Sequence, residues 1–566
     1  MQDIACDKNP QALVDRVSEL MELDEETAVM AKGAIWSNIS NILVKLSGFV
    51  YTVLIARMAT QSDVGLFYFG MGIMGIVGIF SDLGLTQSVI RYVPYHLGKN
   101  EREDAQRIAT ITVIFGTLFG VIGSIIFFVF AHQIAAYFQN PPLEPVLRLF
   151  AIHLVVAQIY AITNALLLAM KKIKETTITS TIQGVLKLVF TFILILSIGA
   201  SASTLTIAFT LSYIVGAFFV IYYLKTALSW ANLKVVSSRR EYLWALKELV
   251  PFGITMVSIS MFYTVMGYVD RIMIGYFYGE AGNAMIGVYS LAIGLAGMAA
   301  IFASSIYGIF YPLVSELVGK NDLPKVARTS ATALRWVIYS SVPTTAYLCA
   351  FALPILRVLY GGSYEPGYYT LVFFSIGIFA NYLGLVQRTA LAGMRLVKIE
   401  LIAVVIGAVV NIILNYILIP PYGITGAAVS SMLGFTIMTI VNQYYANKVF
   451  GFKFPKNAWK NIFAGILVFL LLQVIEIGIV DQLTGIKIIT GDQLAFAISD
   501  KVAKVAILMV FFFVGLAFYG VLLNLMRLFE HEDAQVFEKV LHKAYVPHWL
   551  VRITKRIVFF NQKEIV

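Results

Sequence analysis

Apolar residues along this chain come in long unbroken blocks rather than in alternation, and short stretches carrying Lys and Arg separate them. A bilayer core takes roughly twenty apolar residues per helix. Inside lipid, only a helix or a closed barrel satisfies its own backbone. Fourteen such blocks are legible: 34–57, 63–80, 108–131, 149–170, 178–199, 205–224, 249–276, 285–311, 329–353, 368–391, 399–418, 425–447, 461–480 and 500–526. The pattern predicts an all-α polytopic membrane protein of about 14 transmembrane helices. Composition agrees, with 59% aliphatic, aromatic and Cys residues and 13% charged ones, far from a soluble domain.

Alternate loops differ in their basic residues, which sets orientation. Twenty-one Lys and Arg fall on one set, among them Lys99, Lys171, Arg240, Lys320, Arg395 and Lys453, against five on the other: Arg148, Arg357, Lys487, Lys501 and Lys504. The expectation is a plasma-membrane protein with both termini in the cytoplasm. The net charge of +10 then reads as topology, leaving a nucleic-acid partner nothing to explain. Residues 1–33 form an acidic cytoplasmic segment without the basic start of a signal peptide. The tail 527–566 mixes charge with Trp549, Ile553 and Phe559, a pattern suited to lying on the inner leaflet. Cys6 and Cys349 are too far apart in predicted location to pair, and the six His residues lack ligand spacing. No disulfide, metal or cofactor is expected.

The chain repeats itself. Val64-Gly65-Leu66-Phe67-Tyr68 recurs as Ile286-Gly287-Val288-Tyr289, an offset of 222. Leu97-Gly98-Lys99-Asn100-Glu101 recurs as Val318-Gly319-Lys320-Asn321-Asp322 at 221, and Leu168-Ala169-Met170-Lys171 as Ala392-Gly393-Met394-Arg395 at 224. Matches in one order at nearly one offset signal a duplication. It divides the chain into an N-lobe of six helices at 34–224, a cytoplasmic linker at 225–248, a C-lobe of six helices at 249–447 and an appended helix pair at 448–526. Six is even, so both lobes enter from the same side, as parallel repeats do. Two similar bundles able to rock about a central site suit a transporter better than a channel, which more often assembles several copies of a smaller unit.

Polar residues inside the blocks fall on stripes. Asn38, Asn41, Lys45, Gly48 and Thr52 share one helix face, as do Ser260, Thr264, Gly267 and Arg271. Gln183, Lys187 and Thr191 form a third stripe, Asn381, Gly384 and Arg388 a fourth, and Gly407, Asn411 and Asn415 a fifth. For Gly48, Gly267, Ser260 and the Asn411–Asn415 pair, helix–helix contact is the simpler reading. Packing does not require Lys45, Lys187, Arg271 or Arg388, because an intramembrane cation is costly. A cationic excess facing a wet cavity implies an anionic substrate such as a phosphate or carboxylate. The candidate substrate residues are therefore Asn38, Asn41, Lys45, Lys187, Arg271, Asn381, Arg388, Asn411 and Asn415. Arg57 and Asp270 are a candidate outer gate. A local interfacial charge cluster is the equal alternative for that pair.

No phosphate-binding loop, dinucleotide glycine pattern or zinc-protease motif is present, and no loop is long enough for a catalytic domain, so the chain is not expected to be an enzyme. Val269-Asp270-Arg271-Ile272-Met273-Ile274-Gly275, Asn411-Ile412-Ile413-Leu414-Asn415-Tyr416 and Ile419-Pro420-Pro421-Tyr422-Gly423 resemble the polysaccharide-transporter branch of the multidrug/oligosaccharidyl-lipid/polysaccharide exporter superfamily. Leu54-Ile55-Ala56-Arg57 and Gly84-Leu85 fit its first half. The resemblance covers about residues 30–450. It implies a flippase or exporter that moves a polyprenyl phosphate- or diphosphate-linked oligosaccharide from the cytoplasmic to the outer leaflet by alternating access. The implied partners are that substrate and membrane lipids, with room for glycan-assembly enzymes, and a monomer is the expected working unit. The alternatives are a cation-coupled drug antiporter of the same superfamily, which typically carries an acid in an early helix, and a non-transporting surface-glycan assembly protein.

Overall fold

The computed structural model describes residues 43–227, 239–299, 310, 313–477 and 493–529. Among these residues every regular element is a helix: α1 (43–58), α2 (Gln61–Asp82), α3 (Leu85–Gly98), α4 (Arg102–Tyr137), α5 (Leu143–Ala169), α6 (Ile173–Ile198), α7 (Ala202–Ala227), α8 (Arg239–Tyr278) and α9 (Gly282–Ala296). Then come α10 (Leu323–Ala350), α11 (Ala352–Leu359), α12 (Tyr368–Gly393), α13 (Val397–Phe450), α14 (Ala458–Ile475) and α15 (Gln493–Leu525). Ten stretches are long and apolar enough to cross a membrane, or eleven when α10 and α11, bent by 72°, count as one span. Val257–Ala299 and Val397–Phe450 hold 43 and 54 residues. At about 1.5 Å per residue each exceeds a single ~30 Å hydrocarbon crossing. The molecule is a multi-pass membrane protein.

The duplication reappears in the backbone. Left-handed residues recur as pairs: Asn100 (φ 63°) and Asn321 (φ 55°), Gln139 (φ 49°) and Gly361 (φ 109°), Lys171 (φ 59°) and Arg395 (φ 62°), Gly199 (φ 90°) and Gly423 (φ 55°). Their offsets are 221, 222, 224 and 224. The helix-ending hydrogen bonds also recur: Glu101 N–H donates to His96 O at 2.9 Å and Asp322 N–H to Leu317 O at 3.1 Å. Lys172 and Leu396 N–H likewise donate to Leu167 and Leu391 O at 2.9 and 3.0 Å. Each is a helix stop in which a left-handed residue lets the chain satisfy orphan carbonyls. Gly423 is the counterpart of the turn between α6 and α7. It breaks α13 just after Pro420-Pro421, which remove two helical donors.

Two compact units emerge from the packing. The first comprises Met1–Gly294 and Val404–Ser431, the second Leu295–Ala403 and Met432–Val566. Their boundaries differ from the 34–224 and 249–447 division, because α8, most of α9 and the middle of α13 pack with the first repeat. In the first unit α2 lies along α8 and crosses α9. A side chain at Gly65 would run into the Asn283 carbonyl, and one at Gly287 into the Gln61 carbonyl. These reciprocal contacts link positions one repeat apart, so they form a pseudo-two-fold crossing. Buried Asn140 and Asn283 exchange amide hydrogen bonds of 2.7 and 3.1 Å beside it. Near the opposite end of α8, Gly84 abuts Gly253, and Val89, Val93, Ala105, Ile108, Ile162 and Leu249 form a core. α3 is an element that the apolar blocks do not reveal. It is amphipathic and short, so it shows no block of its own.

In the second unit α12 and α13 close at small residues seven apart. Gly377 meets the Met432 backbone and Gly384 meets Thr439. Thr439 Oγ1 donates to Ala380 O at 2.8 Å, and Gln387 Nε2 to Gln443 Oε1 at 2.8 Å. Small residues here let backbones approach, which substitutes for the hydrophobic drive that lipid removes.

Candidate substrate-binding site

Asp270 and Arg271 are neighbours on α8, so their side chains leave the helix about 100° apart. Two consecutive residues of α9 receive them. Tyr289 Oη donates to Asp270 Oδ2, and Arg271 Nε donates to Ser290 Oγ at 2.9 Å. Asp270 is completed from α13: Asn411 and Asn415 Nδ2 donate to Oδ1 at 3.3 and 2.6 Å, and Ser431 Oγ donates to Oδ2 at 2.5 Å. All five side chains are buried. The four-residue spacing of Asn411 and Asn415 puts both amides on one face, and the break at Gly423 turns Ser431 back toward them. A carboxylate in this position meets neutral donors at both oxygens, which replaces water around it.

Arg271 points elsewhere. Its Nη1 donates to Gly267 O at 3.0 Å, and its guanidinium lies 5.6 Å from the Tyr68 ring and 5.4 Å from the Tyr268 ring. Lys187 on α6 is half-buried, with Nζ 4.4 Å from the ring of buried Tyr51 on α1. Both are cation–π distances, within about 6 Å. Tyr51, Phe67 and Tyr68 run ring to ring between the two cations, at 6.3 and 5.3 Å. Among the described residues neither cation forms an ion pair with a carboxylate. Their positive charge is held by rings, a hydroxyl and a carbonyl.

The structure therefore brings Asp270, Asn411 and Asn415 into one cluster, with Arg271 beside it. It places Lys187 at the far end of the aromatic run. Asn411 and Asn415, expected on the substrate, have no exposed surface and direct their amides at Asp270. The expected Arg57–Asp270 pair is not formed: both oxygens of Asp270 take neutral donors, none of them Arg57, which is exposed on α1. Gly48 and Gly267, read as helix contacts, face open space, since a side-chain carbon at either would meet nothing within 4 Å among the described residues. Lys45 is half-buried on α1. Arg388 and Asn381 lie in the second unit, where Arg388 Nη1 donates to Asn381 Oδ1 at 3.0 Å. Asn38 and Asn41 lie outside the described residues, as do Cys6, residues 228–238 and the tail beyond 529.

Sequence reasoning missed Tyr51, Tyr68, Tyr268, Tyr289, Ser290 and Ser431. One signal was available. At the offset of 222, Tyr289-Ser290 replaces Phe67-Tyr68, so the repeat changes polarity at the residues that hold Asp270 and Arg271. His96, Glu101 and Asp104 are the one described group with metal-ligand chemistry. They sit at the α3–α4 turn, where His96 Nδ1 contacts Glu101 at 2.7 Å and Asp104 pairs with Arg107 at 2.8 Å. That arrangement staples a turn, and no metal is assigned to it.

The sequence signature of a family described as "Polysaccharide biosynthesis protein" matches residues 54–369, more than half the chain. The chain belongs to that family. Within the superfamily it falls in the polysaccharide-transporter branch. It is 22% identical to a protein of Haloferax volcanii named a probable low-salt glycan biosynthesis flippase, Agl15, over 75% of this chain and 85% of that one. It is 23% identical to stage V sporulation protein B of Bacillus subtilis, over 74% and 83%. The fold of this transporter is similar to that of the lipid II flippase MurJ in an inward closed conformation, with a TM-score of 0.65 at 16% identity, over 87% of this chain and 99% of that one. An inward-facing multidrug resistance MATE family transporter follows at 0.59 and 14%, over 82% and 98%. At these identities the two structures establish the fold.

Proposed function

We propose that this transporter flips a polyprenyl phosphate- or diphosphate-linked oligosaccharide from the cytoplasmic to the outer leaflet by alternating access. The observation that carries the reading is the pair Arg271 and Lys187, cations within the first unit that have no carboxylate partner among the described residues. A phosphate linker would supply the missing charge, and a planar guanidinium suits it. The name of the Haloferax volcanii relative, a probable low-salt glycan biosynthesis flippase, supports the same class of substrate. Sugar hydroxyls and phosphate cannot enter hydrocarbon unaided, because each lost hydrogen bond costs several kcal/mol. A lined cavity must replace water while the lipid tail stays in the bilayer. In this reading Arg271 and Lys187, with Lys45, contact the substrate. The Asp270 cluster fixes α8 against α9 and α13, so that Arg271 keeps its aim. The two lobes 34–224 and 249–447 move against each other, with both termini in the cytoplasm. The test is reconstitution into liposomes with a lipid-linked oligosaccharide in one leaflet. A headgroup reagent added outside should gain access to the inner-leaflet pool only when the protein is present. Unchanged access would refute the reading.

A further inference from the structure

A cleft lined wholly by residues of the first repeat lies between α3, α5 and α7. It measures about 450 Å³ and is lined by Thr86, Ile90, Tyr160, Asn164, Leu168 and Tyr213, with small Ala residues between them. That volume is in the range of ligand clefts, roughly 300–1,000 Å³. No charged side chain lines it. Tyr160 and Tyr213 meet at a corner, with centroids 5.2 Å apart and planes at 67°. Their positions are fixed: Tyr213 packs on His153 at 4.7 Å, and Gly216 leaves room for the Tyr160 ring. Asn164 is the unexplained member. Its side chain makes no hydrogen bond among the described residues, and its amide oxygen is sealed from solvent. An amide left so inside a membrane helix is costly, and its Nδ2, which is not sealed, is the end a ligand in the cleft can reach. Thr86 is held by Asp82, which also takes a bond of 3.1 Å from Gln158.

We infer that this cavity is a sugar-binding subsite, which takes the first sugar ring of the lipid-linked glycan while Arg271 takes the linker. The inference rests on the flippase reading and deepens it. A sugar ring has an apolar C–H face and a rim of hydroxyls. The Tyr160–Tyr213 corner offers ring faces, Asn164 Nδ2 offers a donor, and Thr86 Oγ1, whose proton goes to Asp82, offers an acceptor. A hydrocarbon tail has no use for Asn164, and a cationic drug finds no carboxylate lining the cavity. From Tyr213 the rings run through Phe209 at 5.1 Å, Phe67 at 5.7 Å and Tyr68 at 5.3 Å to Arg271, whose guanidinium lies 5.6 Å from the Tyr68 ring, so one aromatic run joins the sugar subsite to the linker cation.

The test uses the full chain in nanodiscs and two probes: a polyprenyl diphosphate bearing one N-acetylhexosamine, and the same lipid diphosphate without sugar. Binding of each is measured for the unmodified protein, Asn164→Leu, Tyr213→Leu and Arg271→Gln. The unmodified protein should prefer the sugar-bearing lipid by roughly tenfold, the scale of one net hydrogen bond. Asn164→Leu and Tyr213→Leu should bring that ratio near one while sugarless binding holds. Arg271→Gln should weaken both probes alike. Should Tyr213→Leu not fold, Asn164→Leu decides alone. A sugar preference that survives Asn164→Leu, or equal loss of both probes in that variant, would overturn the subsite and leave the flippase reading standing. An unmodified protein that binds neither probe would sink both.

Discussion

Gly65→Ala is the sharpest test of the packing. The added carbon would lie against the Asn283 carbonyl oxygen, 2.6 Å from its carbon and 2.9 Å from Gly287 N. Every one of these atoms is backbone, so no side chain can swing away. Bringing the carbonyl carbon from 2.6 to the 3.4 Å of ordinary contact requires α2 and α9 to part by 0.8 Å or more. That movement pulls on the Asn140–Asn283 bonds of 2.7 and 3.1 Å. Overpacking of this kind costs about 1–3 kcal/mol, and weakening a buried amide pair adds a similar amount. Even the lower figure shifts a two-state equilibrium by about fivefold, and the upper one by about 150-fold. The assay is the labelling rate of a cysteine at position 61 by an impermeant maleimide, in protein lacking Cys6 and Cys349. The rate should rise in Gly65→Ala and in Gly287→Ala. Gly48→Ala is the control, since nothing described lies within 4 Å of it. Equal labelling in all three, with equal melting temperature, would refute the crossing.

Four further outcomes follow from the site and from the break at Gly423. Lys187→Gln and Arg271→Gln should each cut flipping of lipid-linked sugar in liposomes at least about tenfold, the scale of one charge-assisted hydrogen bond, with little change in melting temperature. Asp270→Asn should lower the melting temperature, because the acceptors of four donors change to one oxygen and a competing donor, and the charge swap Arg57→Asp with Asp270→Arg should fail to restore transport, since Asp270 pairs with neutral groups. Gly423→Ala should destabilise the fold by about 1–3 kcal/mol, measured as earlier thermal unfolding, because φ 55° and ψ −132° suit only glycine.

What was legible in the sequence follows from periodicity. Twenty-residue apolar blocks report the bilayer directly, so nearly every long helix was visible. The stops at Asn100, Asn321, Lys171 and Arg395 were visible as repeated letters, because a left-handed turn constrains both copies alike. Helix α3 was not, since fourteen mixed residues make no block. The direction of a polar side chain was hidden as well. Asn411 and Arg271 both sit on polar stripes, yet one turns into a sealed cluster and the other onto aromatic faces. Spacing fixes which residues share a face, and only the neighbouring helix decides what that face meets.

The Asp270 cluster also bears on how the chain is made. Its carboxylate enters the membrane with α8, but Asn411, Asn415 and Ser431 are encoded 141 to 161 residues later. At about 5–20 residues per second, the ribosome needs roughly 7–30 s to supply them. Through that interval an acidic residue in a lipid-bound helix carries an insertion penalty of about 2.5–3.5 kcal/mol with only α9 to offset it. Helix α8 is thus a provisional span, made permanent by the arrival of α13, and the order of synthesis leaves a window in which an insertion chaperone would find it.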